Sequence, residues 1–377
     1  MKYYLIAGEA SGDLHGSNLI KAIKARDEHA VIHAWGGDLM EAAGAKLVKH
    51  FKDLAFMGFA EVIMHLPKIL GNIKFAKKDI LDFQPDVLIL IDYPGFNLRI
   101  AKWAKQQQLK VAYYISPQVW AWKESRVPAM KKNIDRMMVI LPFEKDYFKT
   151  KWNWDVAYVG HPLVEVVETF FAHEQYEKLN EGFSKPVISL LPGSRKQEIS
   201  KKLPLMLEAS KSFPDYHFMI AKAPGVEDAF YETFTADHSN VTLVKNKTYA
   251  LLSIAIASLT TSGTATLETA LFGVPEVVCY KGSPVSYMIA KKLIKIKFIS
   301  LVNLIMDKEV VKELIQDQLT PQNITNELKK IVEDTAIIAQ MKKEYAALKN
   351  ILSAGGNASA NAAAIIVELA NEKKLDA

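Results

Sequence analysis

Val187 to Arg195 reads Val-Ile-Ser-Leu-Leu-Pro-Gly-Ser-Arg. A short apolar run that breaks at Pro-Gly and gives way to a helix-forming segment is a buried strand feeding a loop. Such a loop ends at a helix N-terminus, where backbone N–H groups lack intrahelical partners, and Arg195 adds a fork of donors. Gly193, Ser194 and Arg195 therefore offer a seat for a phosphate or diphosphate. The chain opens in the same way. Lys2–Ala7 is an apolar strand, Gly8-Glu9-Ala10-Ser11-Gly12-Asp13-Leu14-His15-Gly16 is a glycine-rich turn, and a helix follows to about Lys24. One strand–loop–helix unit opens each half of the 377 residues, a length that suits two domains with separate cores.

Between these units strands and helices alternate. Strands are expected at Val31–Trp35, Pro85–Asp92, Lys110–Ser116, Met137–Leu141 and Val156–Val159, and Pro142-Phe143-Glu144 starts a helix. The second half offers Val187–Leu191, His217–Ala221, Val241–Val244, Ala257–Thr261 and Glu276–Tyr280; after Lys281 the strand pattern fades. Helices follow through Leu352, Gly355-Gly356 breaks the chain, and Ser359–Leu369 forms a last helix. This alternation predicts an α/β protein of two doubly wound, Rossmann-like domains facing a cleft, with the crossover at Gly160-His161-Pro162.

The clearest strand, Pro85-Asp-Val-Leu-Ile-Leu-Ile-Asp92, is a near-continuous apolar run closed by a carboxylate. Ligands of open α/β sheets bind beyond the strands' carboxyl ends, so Asp92 stands where a general base would stand, or else caps the turn that follows. In the first loop Gly8, Gly12 and Gly16 would let backbone approach a ligand, and Ser11 and Asp13 would bond sugar hydroxyls. The alternative is a tight turn with Asp13 as a helix cap. Thr261-Ser262-Gly263-Thr264-Ala265-Thr266-Leu267-Glu268 gives a second phosphate-suited turn. Ser262, Gly263 and Thr264 supply donors, and Glu268 lies one turn on, within reach of a ribose diol or serving the helix dipole. Trp120 and Trp122 pack in a core or wall the cleft. His161 is a hinge residue or a cleft ligand.

Phe56 to Lys78 mixes apolar residues with lysines: Phe56, Met57, Phe59, Val62, Ile63 and Ile69 with Lys68, Lys74, Lys77 and Lys78. It is an amphipathic helix packed on the sheet, or a lipid-facing surface. Ile289 to Lys297 repeats the basic-apolar mixture, or is a solvated helix face. A net charge of +5 suits an anionic ligand but is too small to imply nucleic acid. The single cysteine, Cys279, excludes an intramolecular disulfide and fits a reducing compartment. The first residues reach a glycine loop too early for a signal peptide, and the uncharged stretch Thr248–Leu267 divides into a helix end, a strand and a loop. No His-Glu-x-x-His, Cys/His cluster or Asp-x-Asp motif is present, so neither a metal nor another cofactor is implied. Sugar transfer to a hydroxyl fits these features. Asp92 would take the proton, and the loop with Arg195 would hold the departing diphosphate. A nucleotide-sugar epimerase and a two-lobed binding protein without chemistry stay open.

Several segments in order carry a resemblance: Gly8–Asp13, Met57-Gly58, Ile91-Asp92-Tyr93-Pro94-Gly95-Phe96-Asn97, Tyr114–Trp122, Leu141–Glu144, Gly160-His161-Pro162, Leu190–Arg195, Ser262–Glu268, Ser300–Leu304 and Glu313-Leu314. The chain resembles the lipid-A-disaccharide synthases, inverting metal-independent glycosyltransferases of the GT-B type. Gly95, Gln118 and Val302 depart from the family pattern without removing a proposed catalytic group. The resemblance implies a UDP-2,3-diacylglucosamine donor, a 2,3-diacylglucosamine 1-phosphate acceptor, and a β-1,6-linked lipid A disaccharide 1-phosphate product. It implies Asp92 as the essential aspartate, Arg195, Glu268 and Asn303 at the UDP end with Ala265 beside them, and Glu9, Ser11, Gly12 and Asp13 toward the acceptor. It implies an acceptor and lipid domain at 1–162, a UDP-sugar domain at 163–342, and helices at 343–377 that return to the first domain. A cytoplasmic enzyme peripheral to the inner membrane of Gram-negative bacteria is implied too, with homodimers that exchange C-terminal segments.

Overall fold

The computed structural model describes residues 1–53, 66–172, 179, 184–283 and 297–372. The chain forms two compact units, Met1–Pro162 with Leu352–Ala377, and Leu163–Ile351. Each is built on one parallel sheet.

In the first unit the strands are β1 (Lys2–Ala7), β2 (Val31–Gly36), β3 (Lys46–His50), β4 (Val87–Ile91), β5 (Val111–Tyr114), β6 (Arg136–Val139) and β7 (Ala157–Tyr158). They lie in the order β3-β2-β1-β4-β5-β6-β7, every neighbouring pair parallel. Side chains alternate between faces along a strand. Tyr3, Leu5, Ala7, Val87, Ile89 and Ile91 therefore pack on one side with Leu19, Ile20 and Ile23 of helix Ala10–Lys24 and with Ile366 and Leu369 of helix Ala358–Asn371. Tyr4, Ile6, Leu88 and Leu90 pack on the other with Trp35, Phe96 and Ile100. Burial on both faces is why β4 reads as unbroken Val-Leu-Ile-Leu-Ile.

The last helix is fastened to this unit by polar groups as well. The Asn357 side chain accepts from the Ala360 N–H at 2.8 Å, and Asn361 Nδ2 donates to the carbonyls of Gly355 (2.6 Å) and Val159 (3.1 Å). Gly160 and Gly355 let two backbones cross, since a Cβ on Gly355 would lie 2.5 Å from the Gly160 Cα.

The second unit holds β8 (Val187–Leu191), β9 (His217–Lys222), β10 (Val241–Lys245), β11 (Ala255–Thr261), β12 (Glu276–Tyr280) and β13 (Lys312–Ile315), in the order β10-β9-β8-β11-β12-β13 and again all parallel. The uncharged stretch after Thr248 divides into helix Thr248–Ile254, β11 and a loop. Among the described residues no helix is long and apolar enough to cross a membrane.

Two strands escape the apolar pattern. Lys46-Leu-Val-Lys-His50 and Lys312-Glu-Leu-Ile315 sit at sheet edges with one neighbour each, where charged residues are tolerated and discourage further pairing. The fading of the pattern after Lys281 therefore hides β13.

Candidate functional site

In each sheet the chain runs outward from a central strand and then crosses to that strand's other side. The reversal falls between β1 and β4 in the first unit and between β8 and β11 in the second. Loops leaving such paired strands diverge and leave a crevice at their carboxyl ends. Ala7 pairs with Ile91 and Leu191 with Thr260. The loops at Gly8, Asp92, Gly193 and Ser262 thus all emerge at reversal points.

Asp92 follows β4 directly. It and Tyr93 both take left-handed backbone angles, φ +44° and +48°, which non-glycine residues hold only when their surroundings compel it. The Asp92 N–H donates to the Tyr114 carbonyl (3.0 Å). Its own carbonyl accepts from the Tyr113 hydroxyl (2.5 Å) and from Asn97 Nδ2 (2.8 Å). With the backbone clamped, the carboxyl is aimed by the fold. Burial, joined by the charge of Glu9, pushes its pKa up to about 6.

Gly8 is small because the Tyr93 ring occupies its side-chain space, 2.4 Å from where a Cβ would sit. Gly12 and Gly16 are filled in the same way by Ala7 and Met40. Packing alone requires glycine at these positions. Ser11 is exposed on the first turn of helix Ala10–Lys24. Asp13 corrects the expectation of a sugar ligand or a cap for its own helix. It is buried, and its carboxylate accepts from the N–H groups of Gly37 (2.7 Å), Met40 (3.0 Å) and Leu39 (3.2 Å), capping the separate helix Asp38–Ala42.

A second carboxyl belongs with Asp92. Glu144 is 1 % exposed, and its oxygens accept from Trp120 Nε1 (3.1 Å) and the N–H groups of Leu141 (3.0 Å) and Ile140 (3.3 Å). Burial, with the charge of Asp92 adding, pushes it up to about 7. Trp120 is thereby a packed residue, edge-on to Phe143, whereas Trp122 faces solvent. His161 is buried and meets the field of His15; burial lowers the pair to about 3 and about 4, so both are neutral near pH 7. The lipid-face residues Phe56, Met57, Phe59, Val62 and Ile63 lie outside the described residues, as does most of Lys291–Lys297, and nothing of the Lys68 side chain is described.

In the second unit Gly193 takes φ +131°, and Arg195 precedes helix Lys196–Ser210. Glu198, one turn into that helix, folds back over the loop. Its Oε2 accepts from the Ser194 N–H (3.3 Å) and its Oε1 from Arg195 Nη1 (3.4 Å). Lys202 lies behind, 2 % exposed, with its ammonium 3.3 Å from where a Gly193 Cβ would sit and bonded to the Thr261 hydroxyl. Burial draws the Lys202 pKa down while Glu198 holds it up. Lys202 links the loops after β8 and β11, and a carboxylate rests between two cations where an anion is expected. The signal for Lys202 was a lysine among Ile199, Leu203 and Met206 on the buried stripe of an amphipathic helix.

At the end of β11 Gly263 takes φ +132° and is exposed, as is Thr264, which starts helix Thr264–Leu271, with Ala265 next. The Ser262 hydroxyl is committed as a donor to the Ile299 carbonyl (2.9 Å). Glu268 accepts from the Tyr249 hydroxyl (2.8 Å), and burial raises its pKa. Asn303 is fully buried and spent internally. Nδ2 donates to the Val311 carbonyl and to Glu313, both at 2.9 Å, and Oδ1 accepts from Val310 (2.7 Å) and Val311 (3.0 Å). Glu313 also receives the N–H of Ser300 (2.9 Å) and of Ile299 (3.0 Å). Asn303 and Glu313 thus brace the Ser262 loop from beneath, which corrects the expectation that Asn303 faces the nucleotide.

The pattern of the family described as lipid-A-disaccharide synthetase matches residues 3–369. The lipid-A-disaccharide synthase of Syntrophus aciditrophicus is 38 % identical over 362 residues, covering 94 % of both chains. That of Trichlorobacter lovleyi is 36 % identical over 358 residues, covering 93 % of both. Among solved structures, UDP-GlcNAc 2-epimerase from Neisseria meningitidis bound to UDP-GlcNAc is similar at TM-score 0.65 and 15 % identity, over 98 % of this chain and 99 % of that one. The calicheamicin glycosyltransferase CalG4 is similar at 0.61 and 17 %, over 98 % of each. The structural likenesses carry the fold, that of GT-B enzymes; the sequence likenesses carry the kinship. The chain belongs to the lipid-A-disaccharide synthase family, glycosyltransferases of lipid A biosynthesis.

Proposed function

We propose that the first unit holds a 2,3-diacylglucosamine 1-phosphate acceptor and the second a UDP-2,3-diacylglucosamine donor. The observation that carries this reading is Asp92, a backbone-clamped carboxyl of raised proton affinity at the reversal point of its sheet. The acceptor's 6-hydroxyl attacks the anomeric carbon of the donor sugar and gives its proton to Asp92. The sugar–phosphate C–O bond breaks with its electron pair leaving on UDP, and the new linkage is β-1,6. Arg195, the N–H groups of the loops at Gly193 and Gly263, and Thr264 take up the charge that develops on the diphosphate. Glu9 and Ser11 stand on the acceptor side; Glu268 stands on the ribose side.

The test is transfer in detergent micelles with a chelator present. Equimolar disaccharide and UDP are expected. Release of UDP without the lipid acceptor, or inversion at C2 of the free UDP-sugar, would instead favour an epimerase.

In this reading Glu198 bonds the Ser194 N–H and Arg195, the donors that would hold the diphosphate. Arg195→Ala is expected to weaken UDP binding by about 1.5–3 kcal/mol, the scale of a charge-assisted hydrogen bond. Glu198→Gln is expected to tighten it severalfold, because the competing anion is gone. Calorimetry with UDP reads both, and a loss of affinity in Glu198→Gln would mean that the carboxylate orients Arg195.

The enzyme works at the cytoplasmic face of the inner membrane in this proposal. Leu70 and Leu81, 53 % and 46 % exposed, share a stripe of helix Leu66–Phe83 with Lys74 and Lys77. Replacing both leucines with Ser is expected to reduce sedimentation with anionic vesicles and to leave UDP affinity unchanged. A homodimer with exchanged C-terminal segments would lay helix Ala358–Asn371 on the same apolar face of a second copy.

A further inference from the structure

The loop that leaves β5 carries two cations that the chemistry above does not use. The Lys123 ammonium stands 4.1 Å from the centre of the Trp122 ring and the Arg126 guanidinium carbon 5.7 Å, and this indole is 44 % exposed. Among the described residues neither cation has a carboxylate within ion-pair distance. Glu124, between them in sequence, accepts from the Tyr147 hydroxyl (2.9 Å) and pairs with Lys151.

The spacing of the two cations is fixed by backbone. Lys123 is held in the left-handed region at φ +59°, and its carbonyl accepts the Arg126 N–H at 3.0 Å. The charges feel one another: after burial, Arg126 is what lowers the proton affinity of Lys123. Arg126 also acts on the Tyr113 phenol, whose hydroxyl holds the Asp92 carbonyl. β5 runs parallel to β4 with Tyr114 paired to Ile91, so the loop that carries the pair leaves the sheet at the same end as Asp92. Like charges kept together on one indole, in a strained turn at the same end of the sheet as Asp92, are what a dianion completes. Arg supplies a planar fork and Lys a point charge.

We propose that Lys123 and Arg126, mounted on Trp122, form the site that binds the phosphate monoester of the acceptor sugar. This rests on the acceptor reading of the first unit. The same chemistry would suit an anionic lipid headgroup, and the experiment separates the two.

Transfer is measured on the full-length enzyme in neutral detergent micelles at saturating donor, with the acceptor varied, for wild type, Arg126→Ala, Lys123→Ala and Arg126→Lys. The expected result is a 10- to 100-fold rise in acceptor KM for each alanine variant and partial recovery in Arg126→Lys. UDP affinity stays unchanged by calorimetry, and KM for the acceptor lacking its phosphate is the same in every variant. An unchanged KM for the phosphorylated acceptor overturns the proposal, and so does an equal rise for both acceptors. Weaker adsorption to anionic vesicles with normal transfer in neutral micelles also overturns it and assigns the pair to lipid headgroups. If wild type makes no disaccharide, the acceptor reading itself fails. Binding of glucosamine 1-phosphate, followed by NMR in wild type and Arg126→Ala, then still decides whether the pair is an anion site.

Discussion

Asp92→Asn is expected to lower kcat by about 10²–10⁴-fold, the usual contribution of a positioned general base, while UDP affinity stays within twofold. The substitution keeps the shape of the side chain, and the clamp on Asp92 uses only its N–H and carbonyl, so the turn should survive. The wild-type pH profile follows from the same geometry. With a carboxyl titrating at about 6, kcat/KM should fall tenfold per unit below pH 6 and level off above pH 7. Stability should respond in the opposite sense. The folded value lies above the 3.8 of an ordinary aspartate, so folding favours the protonated form. That advantage is complete below about pH 4 and is lost as pH rises through 6. Asn cannot ionise, so the variant should be more stable than wild type by about 1–3 kcal/mol at pH 8 and equal to it at pH 4. Thermal melts at the two pH values, run beside the kinetics, check both signs. An inactive variant that melts earlier at pH 8 would show that the carboxylate holds structure and does no proton transfer.

Asn303→Ala is expected to cost about 3–4 kcal/mol, or some 10 °C in melting temperature. The truncation removes a partner from the Val310 and Val311 N–H groups, from the Val311 carbonyl and from the Glu313 carboxylate; Val311 is fully buried, Val310 and Glu313 partly so. Buried groups left unpaired cost their full desolvation, while Glu313 keeps the N–H groups of Ile299 and Ser300. UDP affinity, measured well below the new melting point, should fall only as far as the loop at Ser262 loosens. A residue that touches the nucleotide would give the reverse pattern, an unchanged melt and a large loss of affinity. Calorimetry and a urea titration on one preparation distinguish them.

These two residues mark what a reader of the sequence sees and what stays hidden. The strand before Asp92 is legible because helices cover both of its faces, so burial writes itself as five consecutive apolar residues. β3 and β13 are hidden because an edge strand is half wet and keeps its lysines. The reversal points follow from strand order, which places Gly8, Asp92, Gly193 and Gly263 at crevices. What a polar side chain does there is not encoded nearby. Asn303 and Asp13 sit in the same kind of position as Arg195, yet their partners are backbone groups 7 to 27 residues on. Gly8 owes its identity to a ring at position 93. Glu144 and Lys202 gain meaning only from groups the fold brings to them: Asp92 for one, Thr261 for the other.

The last helix of the first unit is made by the end of the chain, and this has a consequence for synthesis. When Pro162 leaves the ribosome, all seven strands of the first sheet exist, but the face formed by Leu5, Ile89 and Ile91 still lacks Ile366 and Leu369. At about 5–20 residues per second, residues 163–351 occupy roughly ten to forty seconds. Through that interval the nascent protein displays an uncovered apolar strip on an otherwise finished sheet, while the later-made unit can close by itself. The half of the molecule made first is completed last, and a chaperone that shields this strip has a defined interval in which to act.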